Sequence, residues 1–398
     1  MSMTGSIRVL VAAEGSGGHL IPALEMSRVL AGFGAQVTLL YACRKPTAPL
    51  LQQLIHDARI DGVQTAPLRL RSVGGAQRWI QRLWQAVWIW RLTRERLKTL
   101  APHVVVGFGG WWSVPVILAA RQQGIPVLIH EQNVRLGRAN RLLIRRHWVD
   151  QAAVSFESTR QELNGTPAVV TGLPIRRVIG MARREDAARQ FHLDPQRQTV
   201  LVLGGSQGSK PVNHLVQQTL GLLSREERDA WQFIHLTGAA DSTEIQRAYA
   251  AAGVRAWVAP HLLEMAWAYA LADIVVARAG ASTIAELARC GTPSILVPYP
   301  YAAGHQRDNA ALVESAGAGV QLEEAAATPP RLHSLLWQLF ANQGLRQTMG
   351  ERMRSLAKPE ATYHLASAVI GMAQVPAERA ASGVPALEKR NEACLRYT

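Results

Sequence analysis

A chain of 398 residues with 48% hydrophobic and 18% charged residues is too apolar to be mainly disordered and too long for one comfortable core, so two domains are expected. Its formal net charge of +14 is uneven: residues 1–180 hold 22 Lys plus Arg against 9 Asp plus Glu, residues 181–398 hold 21 against 20. Seven of the eleven Trp also lie in the first part, which is therefore expected to face something anionic and partly apolar, nucleic acid or a membrane surface.

The apolar runs at 7–13 and 36–42 read as buried parallel strands, with a helix at 21–30 between them. A long helical pattern at 78–98 precedes strands at 103–109, 126–133, 152–156 and 168–172, with helices at 114–123 and 137–144. The pattern restarts at 198–209 with strand, glycine turn and helix, followed by strands at 231–238, 254–260, 272–280 and 293–300. Helices are expected to begin near Leu262, Ser282 and Gln306, and a last one covers 361–373. Such alternation predicts an α/β chain with two doubly wound parallel sheets. The boundaries expected are 1–170 for the first domain, 171–197 for a linker and 198–360 for the second domain. A helix at 361–375 would pack back on the first domain, and a tail at 376–398 would be loosely attached.

The three cysteines, Cys43, Cys290 and Cys394, are spaced for neither a disulfide framework nor a metal cluster. The first residues lack the long apolar run of a signal peptide, and no stretch reaches 18 apolar residues, so a cytoplasmic protein without a membrane span is expected.

Chemistry gathers in the loops. Gly15-Ser16-Gly17-Gly18-His19 joins a strand to a helix, where glycines let a ligand approach the backbone and the helix start offers N–H groups to an anion. It lacks the dinucleotide pattern, and no GxxxxGK[ST] occurs. Gly204-Gly205-Ser206-Gln207-Gly208-Ser209 makes the same turn in the second domain, with side chains suited to a pyrophosphate. Tight structural turns would also account for both. In Arg278–Glu286, Ser282 or Thr283 can cap a helix with Glu286 completing a capping box, or Glu286 can hold the paired hydroxyls of a ribose or sugar. His130-Glu131-Gln132-Asn133 ends a strand and is no metal site by its spacing; an active carboxylate, a sugar-binding amide or a buried network all fit. Gly109-Gly110-Trp111-Trp112 is a loop fit to lie under a ligand, and 301–309 crowds polar side chains after a strand.

The 78–98 helix places Trp79, Trp84, Trp88 and Trp90 with Ile80, Leu83 and Val87 on half its circumference, flanked by Arg78, Arg82, Arg91, Arg94, Arg96 and Lys98. This is the pattern of a helix lying at a bilayer interface; a large core helix with a basic outer face is the competing reading. Nucleic acid is disfavoured because no helix-turn-helix, RRM or finger pattern appears.

Taken in order, these loops resemble the MurG family of UDP-N-acetylglucosamine:N-acetylmuramyl-(pentapeptide) pyrophosphoryl-undecaprenol N-acetylglucosamine transferases, over residues 7 to about 375. GSGGH at 15–19 is similar to the family's GTGGH, GFGGWWS at 107–113 to GxGGYxS, and TGLPIR at 171–176 to TGNPVR. HEQN at 130–133 and GGSQG at 204–208 match in full; RAGASTIAE at 278–286 is similar to RSGAxTxxE, and His305, Gln306 and Asn309 fit the closing sugar loop. Departures are Glu14 for a glycine, Leu173 for Asn, Ala279 for Ser and His305 for Gln.

The resemblance implies a GT-B fold, two Rossmann-like domains facing across a cleft, and an inverting, metal-independent transfer in cell-wall synthesis. GlcNAc would pass from UDP-GlcNAc to the C4 hydroxyl of the undecaprenyl-linked muramyl-pentapeptide. It assigns the donor to Arg176, Ser206, Gln207, Leu262, Ala281, Ser282, Thr283, Glu286, His305 and Gln306. Acceptor binding falls to Ser16, Gly17, Gly18, Gly109, Gly110, Trp111 and Asn133, and catalysis to His19, Glu131 and Asn133. His19 is the first candidate for the base, because imidazole titrates near neutrality, with Glu131 either the alternative base or the group that orients a partner. Membrane contact falls to Trp79, Trp84, Trp88, Trp90, Arg91 and Arg94. The place expected is the cytoplasmic face of the bacterial inner membrane, on anionic lipid and among other cell-wall enzymes, with no nucleic-acid partner and no cofactor. A UDP-GlcNAc 2-epimerase, sharing architecture and donor, is the rival enzyme class, and a basic adaptor the rival non-enzyme.

Overall fold

The computed structural model describes residues 6–15, 17–43, 49–70, 78–205, 208–301 and 304–374. The first sheet comprises β1 (Arg8–Glu14), β2 (Gln36–Cys43), β3 (Gln64–Arg69), β4 (Val104–Gly107), β5 (Val127–Glu131), β6 (Gln151–Val154) and β7 (Ala168–Val170). The second comprises β8 (Gln198–Leu203), β9 (Trp231–Leu236), β10 (Arg255–Ala259), β11 (Ile274–Ala277), β12 (Ser294–Leu296) and β13 (Gly319–Gln321). Their spatial orders are β3-β2-β1-β4-β5-β6-β7 and β10-β9-β8-β11-β12-β13, and the paired strands are parallel. In each sheet the order reverses beside the first strand, between β1 and β4 or between β8 and β11. Loops leaving those strands splay apart there and open the crevice in which doubly wound sheets hold ligands.

Burial explains why these strands read as unbroken apolar runs. In β1, Val9, Val11 and Ala13 face the helices Gly17–Gly32 and Ala361–Ala373, while Leu10 and Ala12 face Arg78–Leu100 and Ser113–Gln122. In the second sheet Leu201, Leu203, Val275 and Ala277 face one layer, and Val200, Val202, Ile274 and Val276 the other. The helix Ala361–Ala373 inserts Leu365, Ala366, Val369 and Ala373 into the first domain's core, so the chain crosses between domains twice. Residues 376–398 lie outside the described residues.

Two readings of the sequence need correction. The segment 171–197 is only partly a linker: Ile179, Ala187, Ala188, Phe191 and Leu193 are buried in the second domain's core, the middle three on the helix Arg184–Phe191. The sheets also gain β3 and β13, both edge strands. β3 carries Pro67 and polar neighbours, which suit an edge because proline cannot donate to a second partner strand; β13 is three residues long.

Candidate active site

On the first domain's side, three loops after β1, β4 and β5 converge. His19 lies in the first turn of Gly17–Gly32, and Gly17 opens that helix. Gly109 and Gly110 follow β4 with φ of +79° and +81°, a conformation that favours glycine. A Cβ on Gly109 would come within 3.5 Å of the His19 imidazole, and one on Gly110 would strike Glu14. The β1 and β4 loops therefore touch, and Glu14, the acidic departure from the family pattern, packs against Gly110. Desolvation holds the His19 pKa down at about 4, so the ring is neutral at pH 7 with one nitrogen unprotonated, but it is a weaker base than the ordinary imidazole that the sequence reading assumed. Trp111 is 50% exposed at the loop's edge, whereas Trp112 is core. Gly18 is exposed, and Ser16 lies outside the described residues.

Glu131 is 2% exposed. Its Oε1 accepts from the Asn133 backbone N–H (3.0 Å) and side-chain amide (3.1 Å). Its Oε2 accepts from the Gly137 N–H (2.8 Å) and the Asn140 amide (2.9 Å). A carboxylate has about four acceptor positions, and all are taken. The reading of Glu131 as a catalytic base is thus corrected: it ties the 131–140 loop together and presents Asn133. His130, also buried, stacks on Phe108 and bonds the Gly172 carbonyl at 3.0 Å, with burial holding its pKa down at about 4.

Asn133 reaches across the cleft. Its Oδ1 accepts from the Asn309 amide at 3.1 Å, while Asn309 Oδ1 accepts from the Val134 N–H at 3.0 Å. Asn309 also donates to the Ala279 carbonyl, and Arg135 pairs with Asp308 at 2.9 Å. Acceptor loop and second domain are thereby held in register. Asn309, fully buried, was legible only as part of the sugar-loop motif, and its role across the cleft was not.

The second domain supplies the other wall. Arg176 is 7% exposed; it donates to the Leu263 carbonyl at 2.6 Å and approaches Glu286 at 3.5 Å. Leu262, beside that carbonyl, lines an interdomain cavity of about 1610 Å³ with Arg176, Leu263 and Ile284; its other wall is formed by Glu25, Arg28 and Tyr363, and Glu286, His305 and Gln306 do not line it. Glu286 accepts from the Tyr269 hydroxyl at 2.8 Å, and burial raises its pKa against the opposing pull of Arg176 and that hydroxyl.

The capping reading of Ser282 and Thr283 is also corrected: Gly280 is the N-cap of Ala281–Cys290 and no side chain caps it. The first N–H groups of Ala281, Ser282 and Thr283 are thus available to an anion. Gln306, in the first turn of His305–Ser315, accepts from the Tyr299 N–H at 3.0 Å. Arg278, to which the sequence assigned no task of its own, braces the cleft. It donates to Ser209 and to the Val297 and Pro298 carbonyls, binding three of its loops together.

Among the described residues, Arg176 Nε, Ser282 Oγ and His305 Nδ1 on this side are buried without a protein partner, as are Trp112 Nε1, His130 Nδ1 and Asn140 Oδ1 on the first domain's side. Ser206 and Gln207 lie outside the described residues; their neighbours Gly205 and Gly208 have φ of +89° and +77°, so both flanks of that turn depend on glycine. No group of three or more His, Cys, Asp or Glu among the described residues could hold a metal.

The basic helix Arg78–Leu100 divides its tryptophans. Trp84 and Trp88 are 69% and 47% exposed beside exposed Leu83, Arg91 and Arg94. Trp90 is turned inward: it donates to Gln122 at 2.9 Å and packs on the core, with Arg94 over its ring, so its assignment to membrane contact is corrected. The Trp79 side chain lies outside the described residues. Among the described residues no helix is long and apolar enough to cross a membrane.

The family model for the glycosyltransferase family 28 N-terminal domain matches residues 9–149, and that for its C-terminal domain matches 199–365. Fold and loops thus define a glycosyltransferase of the two-domain GT-B class. A transferase of Desulforamulus reducens, named UDP-N-acetylglucosamine--N-acetylmuramyl-(pentapeptide) pyrophosphoryl-undecaprenol N-acetylglucosamine transferase, is 35% identical over 89% of this chain and 96% of its own. One of the same name from Xanthomonas axonopodis pv. citri is 37% identical over 91% and 81%. The crystal structure of Acinetobacter baumannii MurG superposes with a TM-score of 0.69 at 28% identity, covering 92% of this chain and all of that one. The chain belongs to the MurG family of these transferases.

Proposed function

We propose that this enzyme moves GlcNAc from UDP-GlcNAc to the C4 hydroxyl of an undecaprenyl-pyrophosphoryl MurNAc-pentapeptide, with inversion and without a metal. The observation that carries the site assignment is the contact across the cleft: Asn133 Oδ1 accepts from the Asn309 amide and Asn309 Oδ1 from the Val134 N–H, which sets the acceptor-side loop against the donor-side helix His305–Ser315. Among the described residues, buried polar atoms without a protein partner occur on both walls, Trp112 Nε1, His130 Nδ1 and Asn140 Oδ1 on the first and Arg176 Nε, Ser282 Oγ and His305 Nδ1 on the second, and such atoms suit a polar ligand or water.

In this reading the acceptor hydroxyl oxygen bonds to C1 of GlcNAc as the bond from C1 to the phosphate oxygen breaks, and UDP leaves. His19, neutral at pH 7, takes the hydroxyl proton. Arg176 and the uncapped amides at the start of Ala281–Cys290 stabilise the departing diphosphate, and Ser206 and Gln207 belong to the same task. Glu286 holds the ribose, Leu262 the uracil, and His305 with Gln306 the GlcNAc hydroxyls. The Gly17–Gly18 and Gly109–Gly110 loops and Trp111 receive the acceptor beside Asn133.

The exposed Trp84 and Trp88, with Arg91 and Arg94, support peripheral attachment to an anionic bilayer surface at the cytoplasmic face of the inner membrane. The test is UDP release from UDP-GlcNAc with and without the lipid-linked acceptor, repeated in EDTA. Release that needs the acceptor and ignores EDTA is the expected result. Loss of turnover in EDTA would refute the metal-free mechanism, and acceptor-independent conversion of the donor would point to an epimerase.

A further inference from the structure

We infer that Tyr269 is a positioning residue that sets the selectivity of the donor site for a ribonucleotide. This rests on the reading of Glu286 as the ribose ligand. Tyr269 sits on the short helix Met265–Leu271, whose MAWAYAL sequence reads as plain core, and its ring is indeed 3% exposed. Its hydroxyl is the exception. It donates to Glu286 Oε2 at 2.8 Å, reaching from one helix to a separate one, Ala281–Cys290.

The count of acceptor positions gives the bond its meaning. A carboxylate offers about two per oxygen. Tyr269 takes one on Oε2, and Arg176 approaches Oε1 at 3.5 Å. One position on each oxygen is left. A vicinal diol supplies two hydroxyl donors, so a carboxylate held at Oε2 by Tyr269 and approached at Oε1 by Arg176 has one position per oxygen for such a pair. Without the Tyr269 hydroxyl, Oε2 would have a second vacant position and the carboxylate could rotate about its last bond. It would still attract a hydroxyl, but it would no longer be held to meet two at once. Tyr269 therefore acts through Glu286 and does not itself touch the donor.

The experiment compares UDP-GlcNAc with its 2′-deoxyuridine analogue in wild type, Tyr269→Phe and Glu286→Ala, using steady-state turnover and a thermal melt of each protein. Tyr269→Phe keeps the ring that fills the core. The expected result is that it raises KM for UDP-GlcNAc about tenfold, leaves kcat within about twofold, and leaves KM for the deoxy analogue near the wild-type value, so that discrimination collapses. Equal losses for both donors, or unchanged discrimination, would overturn the proposal. Glu286→Ala separates the two levels: if it retains wild-type discrimination, the ribose assignment fails. If it loses discrimination while Tyr269→Phe keeps it, only the positioning role fails.

Discussion

Glu131 and Glu286 are both buried carboxylates at the edge of one cleft, yet they are built for different work. Four donors from its own loop surround Glu131, leaving nothing for a substrate. Glu286 has one close donor, Tyr269, and a longer approach from Arg176. The lesson is that a motif carboxylate is classified by its unfilled acceptor positions, not by its burial. On the acceptor side that leaves His19 as the candidate to take a proton.

The largest expected effect follows from that division. His19→Ala should lower kcat about 10³-fold with a small change in donor KM, measured by UDP release. A ring with a pKa held down at about 4 also predicts a rate that stays flat from about pH 7 to about pH 5.5 and falls only below that; a fall centred near the ordinary histidine pKa of about 6.5 would contradict the depressed pKa, and a limb unchanged in His19→Ala would contradict the assignment.

A weakness common to both domains comes next. His130 in the first and His235 in the second are held neutral by burial, with pKa values of about 4 and about 3. The unfolded chain protonates both near pH 6.5, so it takes up protons that the folded state refuses. Stability is therefore present above about pH 6.5 and lost on acidification, by about 2 kcal/mol apiece at pH 5. Denaturant melts at pH 7 and pH 5 would show it, and a stability that rises on acidification would contradict it.

Glu131→Ala tests the comparison itself. It strands the Gly137 and Asn133 N–H groups and the Asn140 amide, and should cost about 3 kcal/mol of stability, read in a urea melt. A variant as stable as wild type but inactive would restore Glu131 to catalysis. The smallest effect is on the surface: Trp84→Ala with Trp88→Ala should leave turnover of a soluble acceptor within about twofold and weaken pelleting with anionic vesicles several-fold. Unchanged pelleting would remove that helix from the membrane reading.

Much of this was legible in the sequence because the strands at the switch points are buried on both faces and read as apolar runs, and because the glycine loops follow them directly. What escaped was decided by partners distant in sequence. β3 hid behind Pro67 and polar neighbours, which only an edge position tolerates. Trp90 falls within the same half-circumference as Trp84, but it lies about 120° round the helix from it, toward buried Ile89, Thr93 and Leu97, and packs on the core. Ser282 and Thr283 have the spacing of caps, yet Gly280 occupies that position. Tyr269 lies in a run that looks wholly apolar, and only its hydroxyl reveals a second duty.

The most direct test is calorimetric binding of UDP-GlcNAc to Glu131→Gln and Glu286→Gln. The account predicts that folded Glu131→Gln binds the donor with an affinity close to that of wild type, while Glu286→Gln loses about tenfold or more. Retained affinity in Glu286→Gln with loss in Glu131→Gln would contradict it.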